Sequence, residues 1–183
     1  MKPAMVRKWV LNASPLILLG KAELLKSISP LAETWIVPGA VIRELTIKSS
    51  LAAYLTDLSD SSQVLRVDVP GIDSVVAGWD LGRGESEVIS LGLRQPGTGV
   101  VLDDLQARKC ARVMEVPLIG SLGLILRARR ENLIPFAKPA IEKLVSVGLY
   151  VDPEICPSAG IDRGIQYSLT SLPFNGEKHG NRS

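Results

Sequence analysis

Asp103 and Asp104 stand side by side directly after the apolar run Val100-Val101-Leu102, and they are the residues of this chain best placed to do chemistry. In open parallel sheets, functional groups collect beyond the carboxyl ends of the strands. Asn12, after the stretch Lys8 to Leu11, sits at a second such end, and Glu44 lies on the helical segment after a third, Thr34 to Val37. Glu85 joins them by helical phase: at about 100° per residue it shares an arc with Val88, Ile89 and Gly92, while Glu87 turns roughly the other way. Glu44 is similarly flanked by Val41 and Ile47. A carboxylate aimed at an apolar face is costly to bury unless a cation or hydrogen bonds compensate it. Each residue also has a plainer reading: an aspartate at a strand-to-helix junction is commonly an N-cap, and a rim glutamate can extend its head into water. The conjunction is what points to chemistry.

Carboxylates drawn together without histidine or thiolate describe a site for a hard, oxygen-loving dication, Mg²⁺ or Mn²⁺. Without the cation they repel one another. With it, bound water becomes a hydroxide-like nucleophile at neutral pH and charge building on phosphorus is offset, so phosphodiester hydrolysis is the natural reaction. The single histidine, His179, is the fifth residue from the end of the sequence in a polar, Gly-rich segment, which argues against a Ser-His-Asp triad, a Cys-His pair and a two-histidine ribonuclease. Cys110 and Cys156 are far apart with no Cys-x-x-Cys, which argues against structural zinc. A Walker-type phosphate loop is missing, so ATP dependence has no support. Asp103-Asp104 also fits the phosphoacceptor pair of a response-regulator-like domain, but that needs an acceptor aspartate and a lysine after later strands. Val116 to Ile119 is followed by Gly120-Ser121, with neither.

The elements that must position these residues alternate. Short apolar runs and longer segments of helical period predict an α/β fold, a three-layer α/β/α sandwich on a mainly parallel sheet. Strands are expected at Lys8 to Leu11, Thr34 to Val37, Val64 to Val69 on an edge, Val100 to Leu102, Val116 to Ile119 as a last central strand, and Leu149 to Val151 at the end. Helices are expected from Pro15 to about Ile28, capped by Asn12 or Ser14, after Pro38, over Leu51 to Leu58, from about Gly84, and over Leu105 to Met114, Ser121 to Arg130 and Pro139 to Val147. The chain has 183 residues, 46% of them hydrophobic and 22% charged, which suits one domain over 1–151 followed by an extended or disordered tail over 152–183. The longest uncharged stretches, Trp9 to Gly20 and Val116 to Leu126, fall short of the ~20 residues a membrane span needs, and the start does not read as a signal peptide, so a soluble cytoplasmic protein is expected. Net charge is only +2, but acids dominate from Asp57 to Glu87 and bases from Arg108 to Arg130. Arg108, Lys109 and Arg112, just after the aspartate pair, are the candidates to steer a phosphate backbone.

At these residues the sequence resembles the PIN-domain family, the fold of VapC-type toxin ribonucleases, and within it a branch known as predicted nucleic-acid-binding proteins. The matching segments are Leu11-Asn12-Ala13-Ser14-Pro15-Leu16, Val37-Pro38 with Val41-Ile42-Arg43-Glu44-Leu45, Gly84-Glu85-Ser86-Glu87, Val101-Leu102-Asp103-Asp104 with Ala107-Arg108, and Gly120-Ser121-Leu122-Gly123. The resemblance runs from about Trp9 to Tyr150. It implies an acidic pocket binding Mg²⁺ or Mn²⁺ and cleavage of single-stranded RNA, with Asn12 in the first acidic position, Glu44 in the second, Glu85 or Glu87 in the third and Asp103 or Asp104 in the fourth. Ser14 and Ser121 fall where the family places hydroxyls near the metal. It further implies a small antitoxin partner and self-association. Asn12 departs from the family's usual aspartate: its amide oxygen can coordinate a cation but brings no negative charge. The family likeness therefore leaves room for a weakened domain that binds RNA or a protein without cleaving.

Overall fold

The computed structural model describes residues 6–48 and 51–150, and Met1–Leu149 forms one compact unit. Its centre is a five-stranded sheet in the order β3-β2-β1-β4-β5, with β1 Lys8–Leu11, β2 Thr34–Pro38, β3 Gln63–Val67, β4 Thr98–Val101 and β5 Leu118–Ile119. Every pairing is parallel, with Val10 opposite both Ile36 and Val100, and Val101 opposite Ile119. Helices α1 Ala13–Lys21, α2 Leu25–Ile28, α3 Gly39–Lys48, α4 Leu51–Leu58, α5 Ser74–Ala77, α6 Arg83–Arg94, α7 Leu105–Val113, α8 Ser121–Arg130 and α9 Ala137–Ser146 form the connections, with a 3-10 turn at Ser29–Leu31. The fold is the expected α/β architecture on a parallel sheet.

Burial explains the strand pattern. β2 and β4 are buried at every position and β1 at all but its first, as strands covered on both faces must be. β3 lies on an edge and has only exposed and partly exposed residues. The two helical layers can be told apart by what they press against. Gly92 of α6 lies so close to Val100 and Val116 that a Cβ there would come within 2.8 Å of each, whereas the Arg127 guanidinium of α8 stands 5.9 Å from the Trp9 ring centre. Val10 and Val100 thus face one layer, Trp9 and Gly99 the other. Trp35, Leu16, Leu45, Ile89, Leu102 and Leu124 are among the large side chains wholly withdrawn from water.

Several expectations need correction. Val116 to Ile119 is not central: β5 is two residues long and lies at the sheet's end, beside β4 alone. Leu149 and Tyr150 form no strand, and Val151 and the expected tail over 152–183 lie outside the described residues. The helix expected through Ile28 breaks after Lys21, where Glu23 takes a positive φ of 58° and a fresh turn begins at Leu25. The short helix α5, capped by Asp73 through bonds from the Val75 and Val76 amides, had no counterpart in the sequence reading. No helix among the described residues is long and apolar enough to cross a membrane.

The order of the strands places the interesting end. From β1 the chain winds outward to β2 and β3, then returns to put β4 on the other flank of β1. The crevice between β1 and β4 at their carboxyl ends is the switch point at which open α/β sheets bind ligands. Asn12 and Asp103 leave adjacent strands at this end, and the Asn12 amide donates to Val101 O at 3.3 Å.

Candidate active site

Asn12 occupies the N-cap position of α1 with extended backbone, yet its side chain makes no capping bond. A side-chain cap is ordinarily worth about 1 kcal/mol. Here the amide is committed elsewhere: Nδ2 donates to Glu85 Oε1 at 3.0 Å. Asn12 is 1% exposed, and its Oδ1 is buried without any hydrogen-bond partner. Ser14, the other expected cap, is exposed in the first turn.

Glu85 enters from the first turn of α6, where the helix dipole favours a carboxylate. Glu44 enters from α3 and is half-buried. Gly84 binds the geometry together: a Cβ at this residue would lie 3.1 Å from Asn12 Oδ1 and 3.6 Å from both Glu44 Oε2 and Val41 Cγ2. The missing side chain therefore leaves a small cradle lined by the unpartnered amide oxygen and the Glu44 carboxylate. The structure brings Asn12, Glu44 and Glu85 together.

Glu87 does not point away from the apolar face as its helical phase suggested. Its side chain is 3% exposed, accepts a bond from the Ala40 amide at 2.9 Å through Oε2, and faces Arg83 Nε at 3.1 Å and Arg43 Nη2 at 3.6 Å through Oε1. The wheel failed because α6 has almost no outward face: from Ser86 to Gly92 every residue is buried. The Arg83 and Glu87 pair, four apart, was the signal in the sequence. The Ala40 amide, in the first turn of a different helix, left none.

Asp103 and Asp104 are engaged at a second corner. Asp103 accepts two bonds from Ser121, from the backbone amide at 2.7 Å and from Oγ at 2.6 Å. It thereby serves the opening turn of α8. Asp104 is the N-cap of α7, accepting from the Ala107 amide at 2.8 Å, which is the plainer of its two sequence readings. Arg108 turns inward and donates from Nη1 to Leu102 O at 2.9 Å. Burial and then the nearby Arg112 push its guanidinium below the ordinary value, while Asp103 pulls the other way. Lys109 and Arg112 are exposed on α7. Cys110, on the same helix, is buried, and its thiol is pushed up by burial and by Asp73.

Of the expected acidic residues, Glu44 and Glu85 thus stand by Asn12, whereas Asp103 and Asp104 accept bonds from Ser121 and Ala107. Among the described residues no group of three or more His, Cys, Asp or Glu side chains is gathered to hold a metal ion. The assembled donors are two carboxylates and one neutral amide oxygen, at Glu44, Glu85 and Asn12. That set fits a hard dication: all donors are oxygens, two carry charge, and the third is a buried acceptor with no partner.

No protein of curated function matches the chain. A solved structure of a PilT N-terminus domain protein from the hyperthermophilic archaeon Sulfolobus solfataricus is similar at 12% identity with a TM-score of 0.48, over 66% of this chain and 92% of that one. A family profile described as DUF3368, PIN domain, matches residues 8–159, from the first residue of β1 to beyond the end of α9. PIN domains are generally nucleases and typically depend on divalent metal. The profile takes in Asn12, Glu44, Glu85 and the aspartate pair within one continuous match, and the chain belongs to the PIN-domain family.

Proposed function

We propose that this PIN domain is a metal-dependent endoribonuclease that hydrolyses phosphodiester bonds in single-stranded RNA. The observation that carries the reading is the buried, unpartnered Asn12 Oδ1 at the sheet's switch point, beside Glu44 and the Gly84 cradle. A buried acceptor left without a partner costs roughly 1–3 kcal/mol, so the site gains from an occupant that can satisfy it. Asn12, Glu44 and Glu85 are the residues that would hold Mg²⁺ or Mn²⁺. Such an ion supplies a water nucleophile at neutral pH and offsets charge at the phosphorus.

The chain's own groups divide the remaining tasks. The Asn12 amide holds the Glu85 carboxylate in orientation through its 3.0 Å bond. Ser121 fixes Asp103 beside the mouth, adding negative potential without a mobile side chain. Lys109 and Arg112 attract the RNA backbone toward the end of β4, and Arg108, tied to Leu102 O, lies nearest Asp103. The family setting that fits this activity is the toxin of a toxin–antitoxin pair, with a small protein partner and a homodimer.

Incubation of the purified chain with labelled single-stranded RNA under Mn²⁺, Mg²⁺ or chelator tests the reading. The expected result is cleavage that requires metal and is lost in Glu85→Gln. Cleavage that survives chelation and this substitution would sink it. A second reading, RNA binding without cleavage, is favoured by the neutral Asn12, which brings no charge to the site. It predicts retained RNA binding with intact substrate at every metal concentration.

A further inference from the structure

Glu87 is the most deeply buried carboxylate among the described residues, and the proposed chemistry does not use it. A lone buried carboxylate is strongly disfavoured, so what compensates it shows what it is for. One oxygen takes the Ala40 amide, one of the orphan donors of the first turn of α3. The other faces Arg83 of α6 and Arg43 of α3. A single side chain on α6 therefore grips the start of α3 both by its backbone and by a cation.

The grip lies where the site needs it. Ala40 and Glu44 are four apart and share a face of α3, so the clamp is one turn from the Glu44 carboxylate. On α6, Gly84 and Glu85 lie within the preceding turn and meet Asn12. If α3 and α6 shifted relative to each other, the Gly84 cradle would open or close and Glu44 would part from Asn12. Apolar packing alone could join the helices, but it resists sliding less than a directional bond to one amide does.

We infer that Glu87 is a positioning residue that clamps α6 to the first turn of α3 and so sets Glu44 and Glu85 about Asn12. The inference deepens the metal-site reading and rests on it only for its Mn²⁺ arm.

Nuclear magnetic resonance of the full ¹⁵N-labelled chain in chelator reads the clamp without metal. In Glu87→Ala, the Ala40 amide exchanges at least about tenfold faster, and the Asn12 side-chain amide signals move although Glu87 makes no hydrogen bond to Asn12. Glu87→Gln, which keeps an acceptor for Ala40 but loses the ion pairs with Arg43 and Arg83, recovers most of the Ala40 protection yet still moves the Asn12 signals, and so carries the test should the alanine variant fail to fold. In a separate Mn²⁺ titration, Glu87→Gln weakens binding about tenfold, the loss typical of residues that orient ligands, whereas Glu85→Gln abolishes it. Asn12 signals unmoved in both variants would overturn the inference. So would loss of Mn²⁺ from Glu87→Gln as complete as from Glu85→Gln, which would make Glu87 a ligand. A wild-type chain that binds no Mn²⁺ defeats the metal reading instead, and the chelator spectra still decide the clamp.

Discussion

Two corners of the same sheet edge carry acidic residues, and they treat them in opposite ways. At the β4–α7 corner every carboxylate bond found serves the fold: Asp103 takes both donors of Ser121, and Asp104 caps α7. At the β1–α6 corner Asn12 forgoes its cap, leaves an oxygen unpartnered, and lines a space that a single methyl would fill. The first corner is satisfied as it stands. The second keeps a buried acceptor without a partner, and unsatisfied buried polar atoms are often found at functional sites.

The comparison breaks most sharply at Glu85. Glu85→Gln removes one of two charges from the unsatisfied corner while leaving a side chain that can still bond Asn12. Metal-dependent RNA cleavage is expected to fall about a hundredfold or more, beyond the roughly 10–100-fold typical of residues that merely orient ligands. The melting temperature should stay within a few degrees of wild type. A kinetic assay paired with a thermal melt reads both, and a large drop in stability with little change in rate would reverse the roles of the two corners.

Ser121→Ala probes the satisfied corner. It deletes the 2.6 Å hydroxyl bond to Asp103 but not the backbone bond. Bonds to charged groups contribute about 1.5–3 kcal/mol, so urea unfolding is expected to show a loss near 2 kcal/mol. Metal affinity, measured by titration, should change less than twofold.

How far these corners were legible in the sequence follows from what is local and what is not. The β1 and β2 strands and the start of α6 announce themselves through apolar runs, Pro38 and the Gly82 to Gly84 stretch. Asn12, Glu44 and Glu85 stood out as candidates at strand ends or on apolar arcs, because the parallel sheet collects such positions. The orientation of Glu87 was not, since a helical wheel presumes one dry face and one wet one. α6 is packed by α3, α5, α7 and the sheet, so both arcs are buried. The place of β5 was lost for a similar reason: strand order is a property of the assembled sheet, and Val116 to Ile119 is as apolar as a central strand. Asp103 and Asp104 looked equivalent as a doublet, but consecutive residues leaving a strand diverge, and only one can cap the next helix.

Gly84→Ala sharpens the contrast by setting stability against binding. Alanine is worth up to about 1 kcal/mol over glycine within a helix, so α6 itself gains. The new Cβ, however, would stand 3.1 Å from Asn12 Oδ1 and occupy the cradle. Mn²⁺ affinity is expected to drop about tenfold while the melting temperature holds or rises slightly. Unchanged affinity would mean that the gap beside Asn12 is a packing feature and not a site.

The smallest effect separates charge from capping at Asp104. Its Oδ1 accepts from the Ala107 amide at 2.8 Å, and asparagine caps a helix about as well as aspartate. Asp104→Asn should therefore leave unfolding free energy unchanged within about 0.5 kcal/mol, whereas Asp104→Ala should cost about 1 kcal/mol. If Asp104 contributes only the cap, both variants cleave RNA at nearly the wild-type rate once folded. If its charge also reaches the mouth of the site, Asp104→Asn loses activity with no loss of stability. In that case the satisfied corner would have a second task that its hydrogen bonds conceal.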